Sequence, residues 1–170
     1  LEGFTRRFPD VPRFDSSETL YQREDIQLIV CAGIPVERAE ICIQAMRHGK
    51  DVMVDKPGVI NQEQLRAVMQ VREETGARYS IDFSEHFEVP ATLKAKELIE
   101  KGAIGKVVQT VGLGPHRHNS HLRRPWFYEK AQYGGILIDI ASHQIDQFLW
   151  LTGSKDAEIA TSSVGNYANP

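Results

Sequence analysis

The chain has 170 residues, 41% of them hydrophobic and 25% charged, with a formal net charge of −3 and an isoelectric point near 6.1. This is the composition of a globular protein of one or two domains. It argues against a nucleic-acid footprint, because basic residues are scattered except at Arg123-Arg124, and no apolar run reaches the ~18 residues of a membrane span. No secretory leader precedes the first charges, so the expected setting is the cytoplasm, with Cys31 and Cys42 as small core residues kept reduced.

In chain order, residues 1–25 read as irregular, with Pro9 and Pro12 discouraging regular structure and Asp15-Ser16-Ser17-Glu18 able to open a short helix. Residues 27–32 form a continuous apolar run suited to a fully buried parallel strand. Gly33-Ile34-Pro35 makes a turn into a helix whose inner face is predicted as Val36, Ala39, Ile43 and Met46, with Gly49 ending it. Residues 51–54 are a second strand, followed by Asp55-Lys56-Pro57-Gly58. Asn61 and Gln64 form a capping pair, Leu65, Val68, Met69 and Arg72 share one helix face, and Gly76 stops that helix. Residues 78–83 give a third strand. Strand, helix, strand, helix, strand is the signature of a parallel α/β sheet.

After Ser84 the pattern changes. A helix over residues 89–101, a strand over 106–113, a polar loop over 114–133, a helix from Gly134 to Gly153 and a strand over 157–164 predict an α+β second region. The helix is the richest segment. It is mostly apolar, yet it carries Asp139, His143 and Asp146 at spacings of four and three. At about 100° per residue these fall within roughly 40° of one another. A buried carboxylate needs a partner, and an imidazole beside one is a general-base arrangement. The alternative is a macrodipole-favoured acid plus a satisfied core histidine.

Ligands of open parallel sheets bind beyond the carboxyl ends of the strands. Ala32-Gly33-Ile34-Pro35 and Asp55-Lys56-Pro57 occupy such ends, and Lys56 there could stabilise a developing alkoxide, unless it is simply a solvated lysine. His116, His118 and His121 invite a zinc reading, but the spacing is unspecific and Arg117, Arg123 and Arg124 oppose a cation, so no metal is expected. A loop that hydrogen-bonds a hydroxylated substrate is the better reading, with Trp126 as a stacking face or a core anchor. The chain has no Gly-x-Gly-x-x-Gly turn.

Gly49-Lys50-Asp51-Val52-Met53-Val54-Asp55-Lys56-Pro57 resembles the Gly-Lys-His-Val-x-x-Glu-Lys-Pro motif of the glucose–fructose oxidoreductase/inositol dehydrogenase/MocA (Gfo/Idh/MocA) family of NAD(P)-dependent oxidoreductases. Gly134-Gly135 through Asp139, His143 and Asp146 resembles its Gly-Gly-x-x-x-Asp-x-x-x-His-x-x-Asp motif, and residues 101–107 resemble its link between domains. The resemblance implies a partial Rossmann domain over residues 1–84. A partial substrate-binding domain with an open, mainly antiparallel sheet would follow over 85–170. On this reading the chain begins inside the first domain and continues past its last residue, so that alone it would be inactive and poorly soluble.

The resemblance further implies Lys56, Asp139 and His143 as the catalytic set. It places Ala32, Gly33, Ile34, Pro35, Asp55 and Lys56 against NAD or NADP and Asp146 near a sugar or polyol substrate, to which the loop residues His116, His118 and Trp126 add the candidate contacts named above. It also implies a homo-oligomer without membrane or nucleic-acid partners. The family's usual Thr-Pro-Asn and following histidine fall on Gly33-Ile34-Pro35 and Arg38, and its Asn-Arg pair on Ser84-Glu85-His86. Rival readings are elimination or glycoside cleavage with a retained cofactor, a non-catalytic sugar-binding protein, and a metal enzyme using the three loop histidines.

Overall fold

The structure, a computed structural model, describes residues 2–166. Leu1 and residues 167–170 lie outside the described residues. The first region holds α1 (Glu2–Arg7), α2 (Ser17–Tyr21), β1 (Leu28–Cys31), α3 (Pro35–Arg47), β2 (Asp51–Asp55), α4 (Gln62–Thr75) and β3 (Tyr79–Asp82). The strands form a parallel sheet in the order β1-β2-β3, with Leu28 opposite Asp51 and Val52 opposite Tyr79. The α/β expectation for this region therefore holds. The first 25 residues are more regular than expected, since α1 precedes Pro9.

Local chemistry sets the helix ends. Pro35 opens α3, where its missing N–H costs no intrahelical bond. Asn61 accepts the Gln64 N–H at 2.8 Å, and the Gln64 side chain accepts the Ile60 N–H at 2.9 Å, one residue earlier than the reciprocal cap expected from sequence. The inner faces are also rotated from expectation. In α3 the buried stripe is Pro35, Arg38, Ala39, Cys42, Ile43, Ala45 and Met46, while Val36 faces outward. In α4 it is Val68 and Val71, with Leu65 and Met69 exposed. The α3 stripe includes a charged residue, which a hydrophobicity pattern passes over.

The core joins Cys31, Val52 and Val54 of the sheet to Cys42, Met46 and Val68 of the helices. Only one face of β1 takes part: Cys31 is buried, whereas Val30 is 66% exposed, so the expected fully buried strand is half-buried. On its outer edge β1 has no neighbour among the described residues.

The second region holds α5 (Ser84–Phe87), α6 (Pro90–Glu100), two short 3₁₀ turns at Ser120–Leu122 and Pro125–Tyr128, α7 (Lys130–Tyr133), α8 (Ile136–Asp139) and α9 (Ala141–Thr152). The expected antiparallel sheet is absent among the described residues. Residues 106–113 and 157–164 have strand-forming composition but run as extended chain, with Val108 at 89% and Ile159 at 72% exposure. A strand is defined by its neighbour's hydrogen bonds, and neither segment has one. Residues near 112 instead pass over α9, where a Cβ on Gly112 would lie 2.7 Å from Gln144 Cγ. The expected single helix over 134–153 is broken at Ile140 (φ −103°, ψ −48°) into α8 and α9.

Candidate active site

Asp55 and Lys56 leave the carboxyl end of β2, and a cis peptide joins Lys56 to Pro57. Gly58 follows with φ +77°; a Cβ there would come within 2.9 Å of both Ile81 and Tyr79 Oη, so this turn lies flat on β3 only because the residue is glycine. Beneath it, the buried guanidinium of Arg38 gathers the strand ends. It donates to Gly33 O (2.8 Å), Asp55 O (2.8 Å), Lys56 O (2.6 Å) and Asp55 Oδ2 (2.9 Å). Converging carbonyls would otherwise be left without donors away from water.

Lys56 reaches across to the second region. Its ammonium donates to Asp139 Oδ1 at 2.6 Å and to Asp139 O at 2.9 Å, and both side chains are largely buried. The break at Ile140 lets both contacts form, because Asp139 ends α8 with its carbonyl turned to the lysine. Asp139 is thus the partner of Lys56, rather than the orienting partner of His143 expected from helical spacing.

His143, in the first turn of α9, is buried at 4% exposure, with its ring edge-on to Phe83 at 5.9 Å. Its Nδ1 is a buried polar atom without a hydrogen-bond partner. Burial lowers its pKa below the ordinary 6.5; Lys56 and His116 push the same way, while Glu85 and Asp139 oppose them. The ring is therefore neutral at pH 7.

A cleft of about 340 Å³ joins these groups beyond the sheet's carboxyl edge. Pro35, Arg38, Asp55 and Lys56 line one wall, and Glu85, His116, Arg123, Trp126, Asp139 and His143 line the other. Of the sequence-expected residues, Lys56, Asp139, His143, Pro35, Asp55, His116 and Trp126 meet here. Ile34 lines an adjoining hollow with Trp126, Gly33 gives its carbonyl to Arg38, and Ala32 is exposed. His118 bonds Tyr128 Oη at 3.1 Å in a neighbouring cavity. Asp146 lines neither space: its Oδ2 is 2.9 Å from His86 Nδ1, on a ring stacked against Phe87 and Trp150. Its spacing from Asp139 spans the helix break, so the shared stripe does not extend that far.

Arg38, Glu85 and Arg123 also line the cleft, and no site role for them follows from the sequence alone. Arg38 stands where the family's motif has a histidine, and hydrophobic periodicity gives no sign that it is buried. Glu85 registered only as a polarity change; it is half-buried, and its Oε2 accepts from Gln147 at 3.3 Å. No cluster of three or more His, Cys, Asp or Glu suited to a metal lies among the described residues, and none of their helices is long and apolar enough to cross a membrane.

A parallel sheet with a cleft at its carboxyl edge places the first region in the Rossmann-type class of α/β folds. The chain belongs to the Gfo/Idh/MocA family: residues 3–83 match the oxidoreductase family's NAD-binding Rossmann fold, and residues 92–168 match the Gfo/Idh/MocA C-terminal domain. A crystal structure from Erwinia carotovora atroseptica superposes with a TM-score of 0.96 at 46% identity, covering 99% of this chain and 50% of that one. Scyllo-inositol 2-dehydrogenase (NADP(+)) of Bacillus subtilis is 27% identical over 162 residues, 94% of this chain and 44% of its own. Levoglucosan dehydrogenase of Pseudarthrobacter phenanthrenivorans is 30% identical over 142 residues, 82% and 36% respectively. The chain thus spans half or less of the length of these relatives.

The nicotinamide end of a dinucleotide fits the cleft in one respect visible here. Beside Pro35, Asp55 and Lys56 there is open space that His143 also lines, and the Nδ1 of that ring has no hydrogen-bond partner.

Proposed function

We propose that this chain supplies the proton-handling half of an NAD- or NADP-dependent dehydrogenase acting on a secondary alcohol of a sugar or polyol. The observation that carries the reading is the Lys56–Asp139 bridge set beside a buried His143 whose Nδ1 has no hydrogen-bond partner, in one cleft. Names of relatives that act on inositol and levoglucosan support the substrate class. Residues 1–84 and 85–170 then act as two partial domains, with assembly into a dimer or tetramer as part of the same reading.

Pro35, Asp55 and Lys56 would hold the nicotinamide, which when bound would supply the hydride acceptor. In the alcohol-oxidising direction His143, neutral because it is buried, takes the hydroxyl proton. Lys56 stabilises negative charge growing on the same oxygen. Asp139 fixes the lysine's direction and compensates its charge in the resting cleft. Trp126 and His116 line the wall against which the rest of the substrate lies.

The test is turnover of the full-length natural protein with NAD+ or NADP+ on a panel of inositols, aldoses and polyols, followed by nicotinamide absorbance. His143→Ala is expected to lower kcat by about 10²- to 10⁴-fold, the usual weight of a positioned general base. Unchanged turnover in that variant would remove the assigned role.

A further inference from the structure

The catalytic cleft does not end at His116. It continues into a second cavity of about 390 Å³ that shares His116, Arg123, Phe127, Asp139 and Ile140 with it and adds Arg117, His118, Tyr128 and Tyr133. The two ends differ in charge. The first cavity balances Arg38, Lys56 and Arg123 against Asp55, Glu85 and Asp139, while the second carries two arginines and two histidines against a single carboxylate, Asp139, already bound to Lys56. Among the described residues neither Arg117 nor Arg123 forms an ion pair. Arg123 is nonetheless held in place, its Nε donating to His118 O at 3.1 Å and its guanidinium lying 4.4 Å from the Phe127 ring centroid. That leaves its terminal N–H groups for a ligand. Tyr128 Oη, 3.1 Å from His118 Nε2, adds a further polar group to the same wall.

We infer that the cationic end of the cleft receives an oxyanion group of the substrate, a carboxylate or a phosphate, so that the substrate is an anionic polyhydroxy compound rather than a neutral polyol. Concave cationic surfaces concentrate anions, and arginine N–H groups match both oxyanions in geometry and charge. Asp55 and Glu85, which line only the first cavity, repel the same group and so set one orientation: oxyanion toward Arg117 and Arg123, reacting hydroxyl between Lys56 and His143. This rests on the dehydrogenase reading only for the fate of that hydroxyl; the anion preference is a property of binding.

Calorimetric titration of the full-length natural protein with D-gluconate, D-glucitol 6-phosphate and neutral D-glucitol tests it. At least one anion is expected to bind about tenfold or more tightly than D-glucitol, with the advantage shrinking as salt rises. The two anions, compared with each other, separate carboxylate from phosphate. The Arg117→Gln, Arg123→Gln double variant is expected to lose the advantage, and Arg123→Lys to keep part of it. If the double variant does not fold, the wild-type preference and its salt dependence decide alone. Equal binding of all three probes, binding of none, or a preference that survives in the folded double variant overturns the inference. Preferred anion binding without oxidation by either nicotinamide would instead sink the dehydrogenase reading and leave this one standing. Oxidation of D-glucitol without anion preference would do the reverse.

Discussion

The two regions of the chain obey the same local rules and reach different outcomes. Between Leu28 and Asp82 each strand has a neighbour and each helix a face to cover, so Cys42, Met46, Val52, Val54 and Val68 are almost wholly removed from water. Beyond Ser84, residues 106–113 and 157–164 have equally strand-like composition but pair with nothing described, and Val108, Val111, Leu113 and Ile159 stay exposed. Propensity proposes a strand, but only a partner makes one. The site lies on the seam between these regimes, with Lys56 from the well-packed side gripping Asp139 on the other.

The contrast can be broken most sharply in the core. Met46→Ala, which empties a fully buried site, is expected to cost about 2–5 kcal/mol, read as a lower urea midpoint. Leu113→Ala, at 81% exposure, is expected to stay within about 0.5 kcal/mol. Similar losses at both positions would show the second region to be as firmly packed as the first.

Arg38→Met comes next. It leaves three strand-end carbonyls and one Asp55 oxygen short of donors, and a cost of about 2–4 kcal/mol is expected. Turnover is expected to fall as well, beyond what lost folded protein explains, because Lys56 loses its anchored backbone. A fully active, fully stable Arg38→Met protein would remove Arg38 from the site's scaffold.

The smallest effect concerns proton affinity. With the His143 pKa held below 6.5 in the folded chain, the unfolded state binds the extra proton first as pH falls. Stability from this group is therefore whole above 6.5 and is lost as pH drops toward the folded value. The acid limb of kcat/KM is expected below 6.5 for the same reason. Glu85 works against the downward shift, so Glu85→Gln is expected to move that limb, and the imidazole resonance in an NMR titration, to lower pH still. A limb that moves upward would contradict the electrostatic account.

Much of the sheet was legible in sequence because its signals are local: an apolar run, Pro35 opening a helix, Asn61 with Gln64, and Gly76 in the left-handed region at φ +70°. Lys56 and His143 were legible through their motifs. Three things were hidden. The break at Ile140 falls inside a run of apolar residues with good helix patterning, and it redirects Asp139 to Lys56 and leaves Asp146 with His86. The rotation of the α3 stripe depends on burying Arg38, which hydrophobic periodicity counts as surface. The missing sheet depends on partners that no local pattern encodes.

Arg38 also bears on how such a chain can drift. Its guanidinium serves the Asp55 carboxylate and the backbone of the two residues beside the cleft at once, so positions 38 and 55 are not independent letters. A neutral residue at 38 leaves Asp55 and its neighbours searching for donors, and a neutral residue at 55 leaves a buried cation with carbonyls alone. Single steps at either position pass through a poorer protein. The two are expected to change as a linked pair, a side-chain donor at 38 accompanying an acid at 55.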